Sequence, residues 1–243
     1  MIGHLTPSDI AAASWHVGLP SGDPQRRLWG VDTGAAAEEI LSRSHHVVQI
    51  HGRTVLAADE ISGKTEADGI FTTIPDTVVA VKTADCLPLL FSAKAGKPLA
   101  MAIHAGWRGF CAGIIQEGVR QATSAGAKMS SMRVTIGPAI CAHHFEIGPE
   151  VVAALVAHSG ENAAMNFLSK GKGDRWHADL QTAAVIDLIG LGFNPADIEV
   201  IRLCTFEAKL PSYRRDGKGC GRLVSWVRCV DPVADKSARS PAT

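Results

Sequence analysis

Three residues of this chain lie where an apolar run gives way to a polar, glycine-flanked break, and all three are of types that bind metals or attack substrates. Val78–Val81 and Leu99–Ile103 lead towards Cys86 and His104, while Val47, Val48 and Ile50 run into His51 and Gly52. A β-rich apolar run that stops in this way puts the next side chain at the rim of a sheet, facing a pocket. Two imidazoles and one thiolate from three strand ends make three ligands. That is the pattern of catalytic zinc, whose fourth position stays open for water or substrate. The separations, 35 residues from 51 to 86 and 18 from 86 to 104, exclude a zinc finger. Copper accepts the same donors, and the trio also reads as a metal-free cysteine nucleophile activated by an imidazole. Taken singly, a Cys is more often a small buried hydrophobe and a His a satisfied core or surface residue. Pro88 is expected to stop strand pairing just past the cysteine. Gly106 and Gly109 in HAGWRG let backbone approach closely.

Other polar residues flank the trio. Asp85, beside Cys86, reads either as a carboxylate that orients His51 or His104 through the far ring nitrogen or as a local turn contact. At His51-Gly52 the plain alternative is a β-turn with Gly52 supplying positive φ. Arg108 follows a strand and a glycine pair at a helix start, where it reads as a bidentate anion donor or a structural salt bridge. Arg214 and Arg215 in SYRRDG are either a solvated turn or a phosphate contact. Cys204, at another strand end, reads as a pocket wall or core thiol.

The words IHG (50–52), ADGIFTT (67–73), KTADCLPLL (82–90), IHAGWRG (103–109), IGPAIC (136–141), FEIGPEV (145–151) and SYRRDGKGCGR (212–222) together resemble the YfiH family. It is also called the DUF152, laccase-domain or polyphenol-oxidase-like family. The resemblance runs in order over residues 45–230 and implies layered sheets with outer helices and a catalytic Zn²⁺ on His51, Cys86 and His104. It also implies a purine nucleoside phosphorylase taking adenosine, inosine or methylthioadenosine to free base and ribose 1-phosphate, with adenosine deaminase activity beside it. Arg108, Arg214 and Arg215 are then the candidates for holding phosphate against the ribose. The family's other names imply a copper-dependent polyphenol oxidase, and a further role attached to it is a cysteine hydrolase editing peptidoglycan precursors. A non-enzymatic binding module is the remaining alternative. The glycine-rich opening segment usual in the family, with its arginine and asparagine, does not align with residues 1–45.

The elements that must position these residues are partly legible. GAAAEEILSR (34–43) reads as a short helix, LPSGDP (19–24) as a turn, and 46–57 as two strands broken at His51-Gly52. ISGKTEADG (61–69) is a loop, and IFTTIPDTVVAVKTA reads as two strands parted at Pro75-Asp76. FCAGIIQEGVRQATSAG is a helix stopped by Gly126. Strands are expected at 132–137, 198–203 and 223–227, with a short one before Gly148 and a helix opened by Pro149. HADLQTAAVIDLIGLGF is an amphipathic helix with Asp179 at its start and Gly192 at its end. Strands in succession, then helices alternating with single strands, indicate α+β with mixed, largely antiparallel sheets. DPVADKSARSPAT is expected to be a disordered tail.

A chain of 243 residues, 46% hydrophobic, suits one large core, and a single domain over 1–243 is expected. Lys+Arg and Asp+Glu are both 24, which leaves no electrostatic footprint for nucleic acid or an anionic membrane. No apolar run approaches the roughly 20 residues that cross a bilayer. The first 20 residues lack the basic start and apolar core of a signal peptide. A soluble cytoplasmic protein, monomer or small homo-oligomer, is expected, with a small nucleoside and phosphate as partners. Six cysteines without a CxxC pair read as free thiols. The PCxxC word of zinc nucleobase deaminases is absent, so the one HxE, at 144–146, does not make their signature. The ten histidines include no HxH pair of the sort multi-copper oxidases use.

Overall fold

Leu87–Ala93 and Leu99–Ala105 are apolar along nearly their whole length, and strands of that composition need cover on both faces. They form the centre of the main sheet, with every residue of 99–105 buried. This computed structural model describes residues 14–16, 29–93 and 95–230. In chain order the elements are β1 (Ser14–His16), β2 (Trp29–Asp32), α1 (Gly34–Arg43), β3 (Val55–Ala57), β4 (Gly69–Thr72), β5 (Val78–Thr83), β6 (Leu87–Ala93) and β7 (Leu99–Ala105). There follow α2 (Trp107–Cys111), α3 (Ile114–Ser124), β8 (Met132–Ile136), β9 (Glu146–Ile147), α4 (Pro149–Ser159), α5 (Glu161–Ala164), β10 (Leu168–Lys170) and β11 (Trp176–Ala178). The chain continues through α6 (Leu180–Gly190), β12 (Ile198–Ile201), α7 (Tyr213–Asp216) and β13 (Leu223–Arg228). The turn expected at 19–24 and the tail expected at 231–243 lie outside the described residues.

The main sheet has seven strands in the order β1-β12-β8-β6-β7-β4-β3, antiparallel from β8 to β4 and parallel at both edges. Two three-stranded sheets, β10-β11-β9 and β2-β13-β5, are antiparallel throughout. The architecture is therefore the α+β arrangement of mixed, largely antiparallel sheets that the element order indicates. Alternation along β6 and β7 sorts the two faces. Leu89, Phe91, Met101 and Ile103 meet Ile114, Ile115 and Val119 of α3, and also α6. That helix is buried on every side from 180 to 186, rather than on one face as an amphipathic helix would be, because neighbouring elements cover it all round. Ala100 and Ala102 face Val79 and Val81 of β5, and their small side chains let the second sheet approach.

Four local expectations need correction. Pro88 does not end pairing but sits inside β6, opposite His104. Its carbonyl accepts from Gly137 N–H at 2.9 Å, and the β6–β8 ladder begins only at Leu89, so the missing proline N–H falls at the ladder's end. Residues 45–50 form a segment with isolated bridges, His45 to Val79 and Val48 to Glu66, rather than a ladder strand. The positive φ of the 51–52 turn is at His51, 62°, and not at Gly52. The helix after HAGWRG is two helices, broken at Gly113 with φ 84°.

Candidate metal and substrate site

β5 and β6 are joined by a tight corner, 84–86, in which Asp85 has φ 84°. That corner delivers Cys86 to the end of the main sheet. β7 runs back beside β6 and carries His104 at its own end, and the 50–52 turn brings His51 over both. One donor atom from each of the three lies within 4.8 Å of the others. Cys86 Sγ is 3.9 Å from His51 Nε2, and the two imidazole rings meet edge-on with centroids 4.8 Å apart. Tetrahedral zinc, with bonds of about 2.0–2.3 Å, holds its ligand atoms roughly 3.5 Å apart, so closure takes a small shift. His104 is buried, Cys86 half-buried and His51 exposed, so the trio is open on one side. Non-glycine residues at positive φ on both His51 and Asp85 are the kind of local strain that a fold keeps where side chains must be aimed.

Gly106 and Gly109 meet the trio's own loop. A Cβ on Gly106 would fall 2.8 Å from His51 Cδ2 and 3.2 Å from Cys86 Sγ, and one on Gly109 would fall 2.6 Å from the Gly52 carbonyl oxygen. Any larger residue at 106 would push His51 and Cys86 off their common point.

The carboxylate that organises the trio is Asp68. It is fully buried, its Oδ1 accepts from His104 Nδ1 at 2.8 Å and from His51 N–H at 2.9 Å, and its Oδ2 accepts from Gly52 N–H at 2.6 Å and Ile50 N–H at 3.2 Å. One side chain thus shapes the turn that presents His51 and fixes the ring of His104, leaving His104 Nε2 towards Cys86. Asp85, expected to orient a histidine, instead accepts from Thr205 Oγ1 at 2.6 Å and from the Arg214 N–H at 2.6 Å. It ties α7 and the 204–208 turn to the Cys86 corner.

Burial by itself would push the Asp68 carboxyl up, but the His104 bond and the Gly52 and His51 amides hold it below the ordinary carboxylate range. Burial would likewise raise the Cys86 thiol. The bonds from His104 and then His51 outweigh that and hold it at about 7. His104, which burial would lower, is raised to about 9 by Asp68 and by Cys86. Without an ion the trio therefore carries a thiolate–imidazolium pair near neutrality. A thiolate and two imidazoles, open on one side and cradled by a glycine, fit a borderline transition metal, whose binding would release the His104 proton.

The trio lies in a cleft of about 580 Å³ that is also lined by Val48, Gln49, Lys82, Ile140, Phe145, Tyr213, Arg214 and Arg222. Arg214 is braced there by its Nη1 and Nη2 donating to the carbonyls of His144 and Glu146 at 3.1 and 3.2 Å. Arg215 is not in the lining. Its guanidinium donates to the carbonyls of Thr205, Phe206 and Leu210 and pairs with Asp216 at 2.7 Å, which uses up its fork. Arg108 is also outside the lining, stacked on the Trp107 ring at 4.3 Å. Sequence reasoning missed Asp68, Lys82 and Arg222. Lys82 had a signal, being the one charge within the apolar strand VVAVKT, whereas Asp68-Gly69 looks like any loop.

The fold and this open Cys/His site define a class of α+β proteins with a three-donor centre at the end of a mixed sheet. The chain belongs to the multi-copper polyphenol oxidoreductase laccase family, whose sequence profile matches residues 8–229. It is 37% identical over 198 residues to a protein of Shigella flexneri named purine nucleoside phosphorylase YfiH, covering 79% of this chain and 76% of that one. It is 36% identical over 198 residues to the Escherichia coli K12 protein of the same name, with the same coverage. Among solved structures it is similar to a DUF152 protein of Neisseria meningitidis, with TM-score 0.69, 30% identity and coverage of 80% of this chain and 78% of that one. YlmD of Geobacillus stearothermophilus also has TM-score 0.69, at 25% identity, covering 81% and 78%. The YfiH resemblance read from the sequence is thereby established. No helix among the described residues is long and apolar enough to cross a membrane.

Proposed function

We propose that this chain is a metal-dependent purine nucleoside phosphorylase acting on adenosine, inosine and methylthioadenosine, with adenosine deamination as a second activity of the same cleft. The observation that carries this reading is the composition of the cleft. Apolar and aromatic surface from Val48, Ile140, Phe145 and Tyr213 suits a flat purine, and the cations Lys82, Arg214 and Arg222 suit a phosphate, beside an open Cys/His centre. Its volume is in the usual range for small-molecule sites. Among relatives, the name purine nucleoside phosphorylase recurs.

In this reading His51, Cys86 and His104 hold Zn²⁺, with Cu²⁺ the competing ion under the Irving–Williams order. When bound, the ion supplies Lewis-acid polarisation and a lowered pKa for water. Asp68 is the positioning carboxylate that keeps the His104 proton on Nδ1 and so leaves Nε2 free to donate its lone pair. Asp85 is a positioning residue too, holding the start of α7 and hence Arg214 against the Cys86 corner. Arg214 takes the role of principal phosphate contact because it lines the cleft, its backbone is fixed by Asp85, and its guanidinium keeps N–H groups to spare beyond the two given to His144 and Glu146. Lys82 and Arg222 share that anionic load. Arg108 and Arg215 are then structural. Tyr213 and Phe145 exclude water from the base.

The test is metal-replete protein with inosine, with and without phosphate. Hypoxanthine plus ribose 1-phosphate, at a rate that rises with phosphate and saturates, is expected. No base released from adenosine, inosine or methylthioadenosine, together with phenol oxidation and oxygen uptake, would move the assignment to a copper polyphenol oxidase, the activity after which the family is named. A third reading, a cysteine hydrolase acting on peptidoglycan precursors, is favoured only by the low thiol of Cys86 and its contact to His51. Turnover in fully chelated protein would support it.

A further inference from the structure

We propose that Cys141, His143 and Glu207 form a second cation site on the outer rim of the cleft, taking one divalent ion of the zinc class. The three offer a thiol sulfur, an imidazole nitrogen and a carboxylate oxygen within 4.8 Å of one another. The donors come from two braced turns. In the first, His144 and Phe145 N–H donate to the Cys141 carbonyl at 3.1 and 3.0 Å; in the second, Ala208 N–H donates to that of Cys204 at 2.9 Å. Thr205 N–H to the Ala139 carbonyl at 3.1 Å, and Cys141 N–H to Cys204 Sγ at 3.3 Å, lock the two turns together. The donors are therefore held near one another by backbone and need little ordering to close on an ion.

The surroundings already supply the outer contacts of a ligating set, while the Cys141 thiol, pushed up to about 12 by burial and by Cys204, is one whose proton the ion must displace. Glu207 Oε1 lies 3.8 Å from Cys141 Sγ and accepts from His144 Nε2 at 3.0 Å, and the His144 ring is stacked on Phe206 with centroids 4.1 Å apart. Metal-bound carboxylates are themselves commonly hydrogen-bonded, and His144 already fills that outer role. His143 is exposed and has no hydrogen bond or ion pair among the described residues, so its ring can turn to the ion without breaking one. Mixed sulfur, nitrogen and oxygen donors select zinc-like ions over magnesium or calcium, which favour oxygen alone. The ion would span the two turns that carry the cleft wall. Ile140 and Phe145 line the cleft on one side, and the carbonyls of His144 and Glu146 hold Arg214.

The test uses the full chain with the first trio disabled by His51→Ala and Cys86→Ser, so that its outcome is independent of the proposed reaction. Metal-stripped protein is titrated with Co²⁺ and followed by thiolate-to-cobalt absorption. One equivalent is expected to bind with that band. Cys141→Ser, which keeps the side-chain shape, should abolish the band, and His143→Ala, at an exposed position, should weaken binding at least about tenfold. No bound Co²⁺ in the disabled background would overturn the proposal, as would a band that survives both substitutions unchanged.

Discussion

Replacing Asp68 with Asn removes the charge that joins the two halves of the trio while preserving shape. The carboxylate accepts four hydrogen bonds, two on each oxygen, all from donors. An amide has one acceptor oxygen, so one pair of donors must face an NH₂ group. If the NH₂ faces the Ile50 and Gly52 amides, two bonds are lost. If it faces His51 N–H and His104 Nδ1, one amide is orphaned and the His104 proton is driven onto Nε2, where it blocks the donor lone pair. At about 1.5–3 kcal/mol for each bond to a charged group, two bonds amount to roughly 3–6 kcal/mol. That agrees with the roughly 3–5 kcal/mol expected on breaking a buried pair. In either orientation His104 loses the charged partner that raises its basicity, so zinc affinity should fall about 10–100-fold. Urea unfolding measures the first quantity and competition with a chromophoric chelator the second. Asp68 lies below its unfolded value, so its contribution is present above about pH 4 and is lost as pH falls through the lower folded value. The gap between wild type and Asp68→Asn should therefore narrow in acid. A variant within about 1 kcal/mol of wild type at neutral pH, with unchanged zinc affinity, would refute the role given to Asp68.

In chelated protein, alkylation of Cys86 should rise through about pH 7, where its thiolate forms, and saturating zinc should suppress it; a midpoint near the ordinary thiol value of about 8.5 would contradict the geometry. His158 donates to Asp187 at 2.8 Å and is raised above the usual imidazole value chiefly by that bond. Its contribution is full below about pH 6.5 and fades as pH climbs through the raised value, so Asp187→Asn should cost about 1.5–3 kcal/mol at pH 6 and less in alkali, as read by urea unfolding at both pH values. Arg214→Ala should raise the phosphate KM about 10–100-fold, the loss of one charged bond, with a smaller change for nucleoside, while Arg108→Ala should leave both near wild type; steady-state kinetics with each substrate varied decides it.

Much of the local structure follows from pattern. The helix at 34–43 is where its alanines and glutamates put it, Asp179 caps α6 by accepting from Thr182 N–H at 3.0 Å, and Pro149 opens α4. The errors cluster where tertiary pairing overrules a local signal. Pro88 looks like a strand breaker, but its missing N–H points at the end of a ladder. Residues 47–50 look like a strand, but among the described residues no neighbour runs beside them for more than single bridges.

For the site, residue type and position at strand ends were enough to pick out His51, Cys86 and His104 as potential donors and to say that they leave one side open. Those properties are local, since they depend on where an apolar run stops. The identity of the carboxylate partner is not local. Asp85 is adjacent to Cys86 in sequence, yet a positive-φ corner turns it to Thr205 and Arg214, whereas Asp68, 36 residues from His104 along the chain, lies under it in the fold. The same holds for the cations. Arg108 is four residues from His104 but leaves the cleft on α2, and Arg214 and Arg222, more than a hundred residues away, come back to it through α7 and the approach to β13. Side-chain chemistry can be read from one position, but a contact requires two segments to arrive together, and only the packing of the sheets determines which do.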